Sequence, residues 1–222
     1  MNSIKQQISA ISQTLPERVR LVAVSKFHPA ETIMEAYRAG QRLFGESRAQ
    51  ELSAKAASLP SDISWHFIGH LQTNKVKHVV SVAAMIESID SLRLLEAVDH
   101  EAQRQGRTVN VLLQVHVAME ETKFGFTPDE IIEYFTGRKF EQLKATHICG
   151  LMAMASNTDD PARINDDFAR VAELFRRIIT IAPDLRGFTE LSMGMSDDYP
   201  IAISHGATLV RIGSSIFGPR QY

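Results

Sequence analysis

The chain has 222 residues, a length that one α/β barrel can occupy as a single domain. Hydrophobic residues make up 44% and charged residues 23%, which is ordinary for a globular protein whose core is large enough to need no metal or disulfide staple. The formal net charge of −2 lacks the basic excess typical of proteins that bind nucleic acid or anionic membranes, so we expect neither partner.

The single cysteine, Cys149, cannot form an internal disulfide, which is typical of a protein kept in a reducing cytoplasm. It lies in the apolar stretch THICGLM, which predicts a buried, inert thiol rather than a nucleophile. No apolar run approaches membrane-spanning length, and the N-terminal stretch lacks the apolar core of a signal peptide. We therefore expect a cytoplasmic protein that does not associate with membranes.

An extra N-terminal helix is predicted within residues 1–15, because apolar side chains recur there at helical spacing before a proline ends the pattern. No Pro/Gly/Ser-rich linker or low-complexity tract divides the rest of the chain. We therefore expect residues 1–222 to form a single domain. The side chains that set the helical pattern are Ile4, Ile8, Ile11 and Leu15, and the proline is Pro16.

After this helix, short apolar runs alternate with helical patterns. Such alternation predicts parallel strands, and eight units predict a closed (β/α)8 TIM barrel over residues 21–218; an open doubly wound sheet is the competing architecture. The predicted strands are Leu21–Val24, Arg42–Phe44, Trp65–Ile68, Met85–Ile89, Val109–Val117, His147–Met152, Gly187–Leu191 and Leu209–Ile212. The predicted helices between them include Pro29–Ala39, Arg48–Ala57, Ser91–Arg104, Thr127–Phe135 and Asp160–Thr180.

Lys26 directly follows the first predicted strand, in the stretch LVAVSKFHP. The active residues of a barrel gather at the C-terminal ends of its strands, so this lysine is expected at the barrel mouth. A lysine at a strand end usually lies on the surface with its stem along apolar atoms. Burial lowers the pKa of a lysine amine, however, and a neutral amine is the form that reacts with an aldehyde.

Two segments rich in small residues, LSMGMSDD and LVRIGSSIFG, follow the last two predicted strands. Small residues let backbone N–H groups approach an anion, and barrels often bind phosphate after strands 7 and 8. Each segment alone is also consistent with a tight turn, and Ser196 is expected to cap a following helix. Together the two segments predict a phosphate cradle. Its candidate residues are Ser192, Met193, Gly194, Met195, Gly213, Ser214 and Ser215.

No metal site is predicted. His66 and His70 have the spacing that brings two ligands together on a helix. This segment is predicted as a strand, however, which keeps the two rings too far apart to chelate an ion. A structural role is therefore expected for both.

A phosphate cradle opposite a reactive lysine fits pyridoxal 5′-phosphate, whose aldehyde would form an aldimine with Lys26. The motifs VAVSK, FGESRAQE, WHFIGHLQTNK, KFG and LSMGMSDDYPIAISHGATLVRIGSSIFG, in this order and spacing, resemble the YggS/PROSC family of pyridoxal phosphate homeostasis proteins over nearly the whole chain. The resemblance implies the barrel of the alanine racemase N-terminal domain and a cofactor carried on Lys26. It also implies that Ser192, Gly194, Gly213 and Ser214 bind the phosphate and that Arg211 lies near the pyridine nitrogen.

The chain departs from the family pattern at Ser47, where many relatives carry asparagine. A contact from this position to the cofactor would come from a hydroxyl. The resemblance implies a protein that is not an enzyme but holds and delivers pyridoxal phosphate inside the cell, with apo pyridoxal-phosphate enzymes as expected recipients. No oligomer interface is evident, so we expect a monomer or a weak homo-oligomer.

Two other functions fit the same residues. One is an amino-acid racemase or a related pyridoxal-phosphate enzyme, and the other is a barrel enzyme for a different phosphorylated metabolite, with Lys26 as an electrostatic contact. An arginine at the ring nitrogen stays cationic and weakens the cofactor as an electron sink. The chain ends at Tyr222, which leaves no room for the second domain that supplies a tyrosine in alanine racemases, and this disfavours a racemase.

Overall fold

The computed structural model describes residues 3–118 and 124–218. Eight parallel strands close into a barrel in which each strand pairs with its neighbours in sequence and the last pairs with the first. This confirms the predicted (β/α)8 barrel and excludes the open sheet. The strands are β1 (Arg20–Val24), β2 (Leu43–Glu46), β3 (Ser64–Phe67), β4 (Met85–Ile89), β5 (Val109–Val115), β6 (Thr146–Ala153), β7 (Glu190–Ser192) and β8 (Leu209–Ile212).

Helices alternate with the strands and cover the outside of the barrel. Short 3-10 turns occupy Thr73–Lys75 and Lys139–Gln142. The described helices are α1 (Ile4–Thr14), α2 (Ala30–Arg38), α3 (Ala49–Ser58), α4 (Val76–Val80), α5 (Leu92–Arg104), α6 (Pro128–Thr136), α7 (Pro161–Ile181), α8 (Tyr199–Ser204) and α9 (Ser214–Phe217).

Local sequence explains where several helices begin. The Ser3 hydroxyl accepts a hydrogen bond from the Gln6 amide, and the Gln6 side chain accepts from the Ser3 amide, which together form a capping box at α1. Thr127 and Glu130 form the same arrangement at α6. The predicted N-terminal helix is confirmed, because the apolar face of α1 packs against the core.

The core has two parts, which follow from the alternation of side chains along each strand. The larger part lies between the barrel and its helices and includes the fully buried Phe44, Phe135 and Phe168. The smaller part fills the barrel interior. Its buried members are Val22, Met85, Leu112, Met152 and Leu209.

The seventh strand differs most from its predicted position, since β7 spans Glu190–Ser192 rather than Gly187–Leu191. Gly187 adopts φ +80, a left-handed turn conformation that is not found in a regular strand, so it lies before β7 and not within it. Cys149 is half-buried rather than fully buried, and burial raises the pKa of its thiol, as expected of an unreactive cysteine.

The cap of α8 also differs from its predicted form. Asp198, not Ser196, is the N-cap residue, and its carboxylate accepts a hydrogen bond from the Met195 amide at 2.5 Å. The loop after β7 is thus longer than predicted. In the described ranges, no helix is both long and apolar enough to cross a bilayer.

Candidate functional site

The turn that carries Lys26 begins directly after β1, at the C-terminal end of the barrel. Ser25 points outward, where its hydroxyl donates to Glu46 at 2.6 Å. Lys26 follows Ser25 in this turn, two residues beyond the end of β1. Lys26 itself is half-buried.

A buried ion pair between the barrel and α3 fixes this turn from the outside. The Lys55 ammonium donates to the carbonyl of Ser25 at 2.9 Å, to Glu46 at 2.8 Å and to Glu51 at 3.2 Å. The Glu51 carboxylate also accepts from the amide of Phe27 at 3.0 Å. The backbone on both sides of Lys26 is therefore tied to one network.

Two energetically unfavourable features occur in this network. Phe27 adopts φ 68, a left-handed conformation that costs a non-glycine residue about 1–3 kcal/mol and persists only where its surroundings hold it. Glu46 is fully buried, and one of its carboxylate oxygens, Oε2, has no hydrogen-bond partner among the described residues. Burial raises the pKa of Glu46, although the charge and hydrogen bond of Lys55 oppose the rise.

A second buried network crosses the barrel interior. Glu87 in β4 accepts from His66 in β3 at 2.5 Å and from the hydroxyl of Ser192 in β7 at 2.6 Å. Arg211 in β8 donates to the Ser192 hydroxyl at 2.6 Å, to the Ser192 carbonyl at 2.9 Å and to the carbonyl of Ala153 in β6 at 2.9 Å. The network therefore joins five of the eight strands.

The ionisable groups of this second network shift one another's pKa values. Burial disfavours ionisation of Glu87, but the hydrogen bond from His66 and the charges of His66 and Arg211 outweigh it and hold the pKa of Glu87 below its ordinary value. Burial lowers the pKa of Arg211, while the negative charge of Glu87 opposes that change. An arginine keeps its charge in proteins, so Arg211 is a fixed cation beneath the barrel mouth.

The loops after β7 and β8 adjoin each other at the mouth. The Ser214 hydroxyl donates to that of Ser196 at 3.0 Å, and the Arg211 amide donates to the carbonyl of Gly194 at 2.9 Å. Gly194 adopts φ +91, and a Cβ there would lie 2.7 Å from the Cβ of Ala202 and 2.8 Å from the Cα of Tyr199. Only glycine fits this turn without a shift of its neighbours.

The other predicted site residues lie on the same face of the barrel. Gly213 is the N-cap of α9, Ser215 is exposed in its first turn, Met193 is fully buried and Met195 is 40% exposed. Ser47 is half-buried after β2, where it lines a cleft of about 220 Å³ with Arg48, Gln50, His70 and Lys75. The structure thus brings Ser192 and Arg211 into direct contact and sets Ser214 against the loop after β7.

Two of the predicted features need comment. The one hydrogen of the Ser192 hydroxyl is donated to Glu87, so it is not directed at the mouth. His70 lies beyond the end of β3, bonds Asp90 at 2.8 Å and stacks on Phe124 at 3.9 Å. No group of three metal-ligating side chains occurs in the described part of the chain. Lys123 of the KFG motif and Tyr222 lie outside the described residues.

Sequence analysis missed Glu87 and the Glu46–Lys55 pair. The signal for Glu87 is a charged residue inside MIESI, a strand that is buried at every position. Glutamate is almost never fully buried unless it is paired, so such a residue indicates a partner elsewhere in the barrel. The partner cannot be identified without the strand order.

Comparison with known proteins agrees with the fold. The family model described as the alanine racemase, N-terminal domain matches residues 1–221, which defines the class of barrel. A pyridoxal phosphate homeostasis protein of Schizosaccharomyces pombe is 41% identical over 216 residues, covering 96% of this chain and 89% of the relative. The chain belongs to the family of pyridoxal phosphate homeostasis proteins.

Solved structures also show that the chain is similar to PLP-related barrel proteins. PipY of Synechococcus elongatus without PLP is 39% identical and superposes with a TM-score of 0.93, covering 97% of this chain and 100% of the other. PipY with PLP bound superposes with a TM-score of 0.89 at the same identity and coverage. The barrel described here is therefore similar to that of PipY, whose structure has been solved with PLP bound.

Proposed function

We propose that this protein binds pyridoxal phosphate through the amine of Lys26, and that it serves the homeostasis of this cofactor by holding and delivering it. The observation that carries the proposal is the turn of Lys26 at the C-terminal end of β1, whose backbone is tied on both sides to a buried ion-pair network between the barrel and α3. The family's name and the PLP-bound structure of PipY support the same conclusion.

The chemistry of the donors fits the cofactor. Backbone N–H groups in the first turn of a helix lack intrahelical acceptors, so those at the start of α9, with the exposed hydroxyls of Ser214 and Ser215, would hold the phosphate. Gly194 and Gly213 would keep the two loops close to it. When bound, the cofactor supplies an aldehyde, with which the Lys26 amine condenses so that C=N replaces C=O and water leaves.

Around this bond, the remaining predicted residues have distinct roles. Arg211 would face the ring nitrogen, with Ser192 held against the guanidinium. Met193 and Met195 would supply apolar contacts, and Ser47 a hydroxyl from the loop after β2. A cationic guanidinium disfavours protonation of the ring nitrogen, which suits a protein that holds the cofactor more than one that uses it as an electron sink.

A racemase is the second candidate, and it requires a second acid–base group opposite Lys26. The described tyrosines are engaged elsewhere. Tyr37 donates to Asp62 on the outside of the barrel, the Tyr199 hydroxyl lies 3.2 Å from the Thr14 hydroxyl, and Tyr134 is buried on α6 with its pKa raised by burial. This arrangement favours the carrier.

Titration of the apo protein with pyridoxal phosphate tests the proposal. The wild type is expected to develop the yellow absorbance of a lysine-bound aldehyde, Lys26→Ala is expected to lose it, and Lys77→Ala, which removes an exposed lysine, is expected to retain it. Loaded wild type should also restore activity to an apo pyridoxal-phosphate enzyme. Robust turnover of amino acids by the purified protein would instead establish the racemase.

The proposed role also specifies the recipients, the cellular compartment and the oligomeric state. Apo pyridoxal-phosphate enzymes are the recipients that we propose, in the cytoplasm, with the protein acting as a monomer or a weak homo-oligomer. Size-exclusion chromatography with light scattering, at concentrations spanning the cellular range, measures the last of these directly.

A further inference from the structure

We propose that Glu87 is a positioning residue for the ring of the cofactor, acting through Ser192 and Arg211 without touching the cofactor itself. The inference rests on the proposed function. It assigns a role to a fully buried carboxylate of the barrel interior, which the proposed function leaves unused.

Glu87 is the only acceptor that joins the two sides of the interior network within the described ranges. Its Oε1 accepts from His66 and its Oε2 from Ser192, while the Arg211 guanidinium lies 3.8 Å from Oε2. Glu87 and Ser192 have no exposed surface, and His66 and Arg211 are 3% and 4% exposed. The group is therefore shielded from bulk solvent.

The ionised carboxylate sets the direction of every hydrogen bond in the network. A carboxylate only accepts, so His66 must carry a proton on Nδ1, and the single hydrogen of Ser192 must point at Glu87. The lone pairs of the Ser192 oxygen are then turned toward Arg211, which donates to them at 2.6 Å. A neutral amide at position 87 has only one acceptor oxygen, so it cannot accept from both His66 and Ser192, and it removes the negative charge that lies 3.8 Å from Arg211.

The orientation of Arg211 is the functional consequence. Three of its five N–H groups have acceptors in the described structure, namely the carbonyl and hydroxyl oxygens of Ser192 and the carbonyl of Ala153. Under this proposal, one of the other two would donate to the pyridine nitrogen of the cofactor. Glu87 thus acts on the guanidinium through the Ser192 hydroxyl, and its negative charge lies 3.8 Å from Arg211 Nη1.

Glu87→Gln tests this role, with binding of both pyridoxal phosphate and pyridoxal measured by titration of the apo protein. Loss of a positioned ring contact is expected to raise Kd about tenfold for each ligand, equivalent to about 1.4 kcal/mol. Pyridoxal lacks the phosphate, so an effect on both ligands locates the loss at the ring. An effect on pyridoxal phosphate alone would contradict the inference, as would unchanged Kd values for both.

Asp99→Asn is the matched control. Asp99 is also a buried carboxylate, but it accepts from the amides of Lys144 and Ala145 before β6, at the opposite end of the barrel from Lys26. Its loss is expected to lower stability and to leave both Kd values within about twofold of wild type, given typical additivity errors of 0.3–0.5 kcal/mol for distant sites. If the wild type binds neither ligand, the proposed function itself is refuted. If the wild type and Glu87→Gln bind both ligands equally well, only the inference about Glu87 is refuted.

Ser192→Ala keeps the inference testable should Glu87→Gln fail to fold, as judged by circular dichroism and its urea midpoint. This variant removes the link between Glu87 and Arg211 but leaves the carboxylate paired with His66. It is expected to weaken pyridoxal and pyridoxal phosphate by the same factor. Selective weakening of pyridoxal phosphate would place the Ser192 hydroxyl at the phosphate and overturn the positioning role of Glu87.

Discussion

Replacement of Lys55 by methionine removes the cation beside a fully buried carboxylate while keeping most of the side-chain volume. Glu46 has no exposed surface, and Lys55 is its ion-pair partner at 2.8 Å. The Glu51 carboxylate, whose side chain is 24% exposed, regains water when the ammonium is lost. The penalty therefore falls on Glu46, one of whose oxygens already lacks a hydrogen-bond partner in the described structure.

The expected magnitude follows from that geometry. Removal of one partner of a buried pair typically costs about 3–5 kcal/mol, because an uncompensated charge remains in the interior. At about 2–4 °C per kcal/mol for a domain of this size, Tm should fall by roughly 6–20 °C. Lys55→Met should also weaken cofactor binding, since Lys55 donates to the carbonyl of Ser25 next to Lys26.

The loss should depend on pH with a defined sign. The pKa of Glu46 is raised above its ordinary value of 4.5, so its proton binds more tightly in the folded state. Such a group favours folding below its ordinary pKa, and this contribution disappears as the pH rises through the raised pKa. Without Lys55 the pKa of Glu46 rises further. The stability difference between variant and wild type should therefore be smallest near pH 4.5 and grow toward neutral pH.

Urea unfolding of the apo protein, followed by circular dichroism at several pH values, measures this difference. The double variant Lys55→Met/Glu46→Gln is the control, and it should recover most of the lost stability because no buried charge is left unpaired. A loss below about 1 kcal/mol, the range of exposed ion pairs, would refute the reasoning. So would a loss that is the same at acidic and neutral pH.

Two further substitutions and one measurement of thiol reactivity have defined expected results. Gly194→Ala should lower the free energy of unfolding by about 1–3 kcal/mol, because alanine must adopt a positive φ and its Cβ would press on Ala202 and Tyr199. A Tm measured within about 1 °C of wild type would contradict the described turn. Phe168→Ala should cost about 3–5 kcal/mol in urea unfolding, since its ring is fully buried, whereas a cost typical of surface sites would show that α7 does not pack as described. The Cys149 thiol should react slowly with an alkylating reagent at neutral pH and faster as the pH rises, because burial raises its pKa; rapid reaction at neutral pH would show an ionised thiol.

The elements that sequence predicts best are those whose signals are local. The capped helix α6 begins within a residue of its predicted start, because Thr127 and Glu130 form a capping box that the sequence shows directly. Strand β7 was misplaced because it is only three residues long and is defined by its partners β6 and β8. A strand of three residues is too short to show the alternation of apolar and polar side chains from which strands are predicted.

The same distinction holds for the candidate site. Lys26 and the glycine loops could be found from sequence, because their residue types stand at predicted strand ends where barrels place their chemistry. The Glu87–Ser192 bond could not, since it joins residues 105 positions apart. Only the closure of the barrel in sequence order, with β8 beside β1, brings such residues to one interior.

The central claim is that the Lys26 amine binds the aldehyde of pyridoxal phosphate. Reduction of the loaded protein with borohydride, followed by proteolysis and peptide mass spectrometry, tests it most directly, because reduction converts the C=N bond into a permanent link. The account predicts one stoichiometric pyridoxyl adduct, on the peptide that contains Lys26. Recovery of that peptide unmodified, or an adduct on another lysine at equal yield, would contradict it.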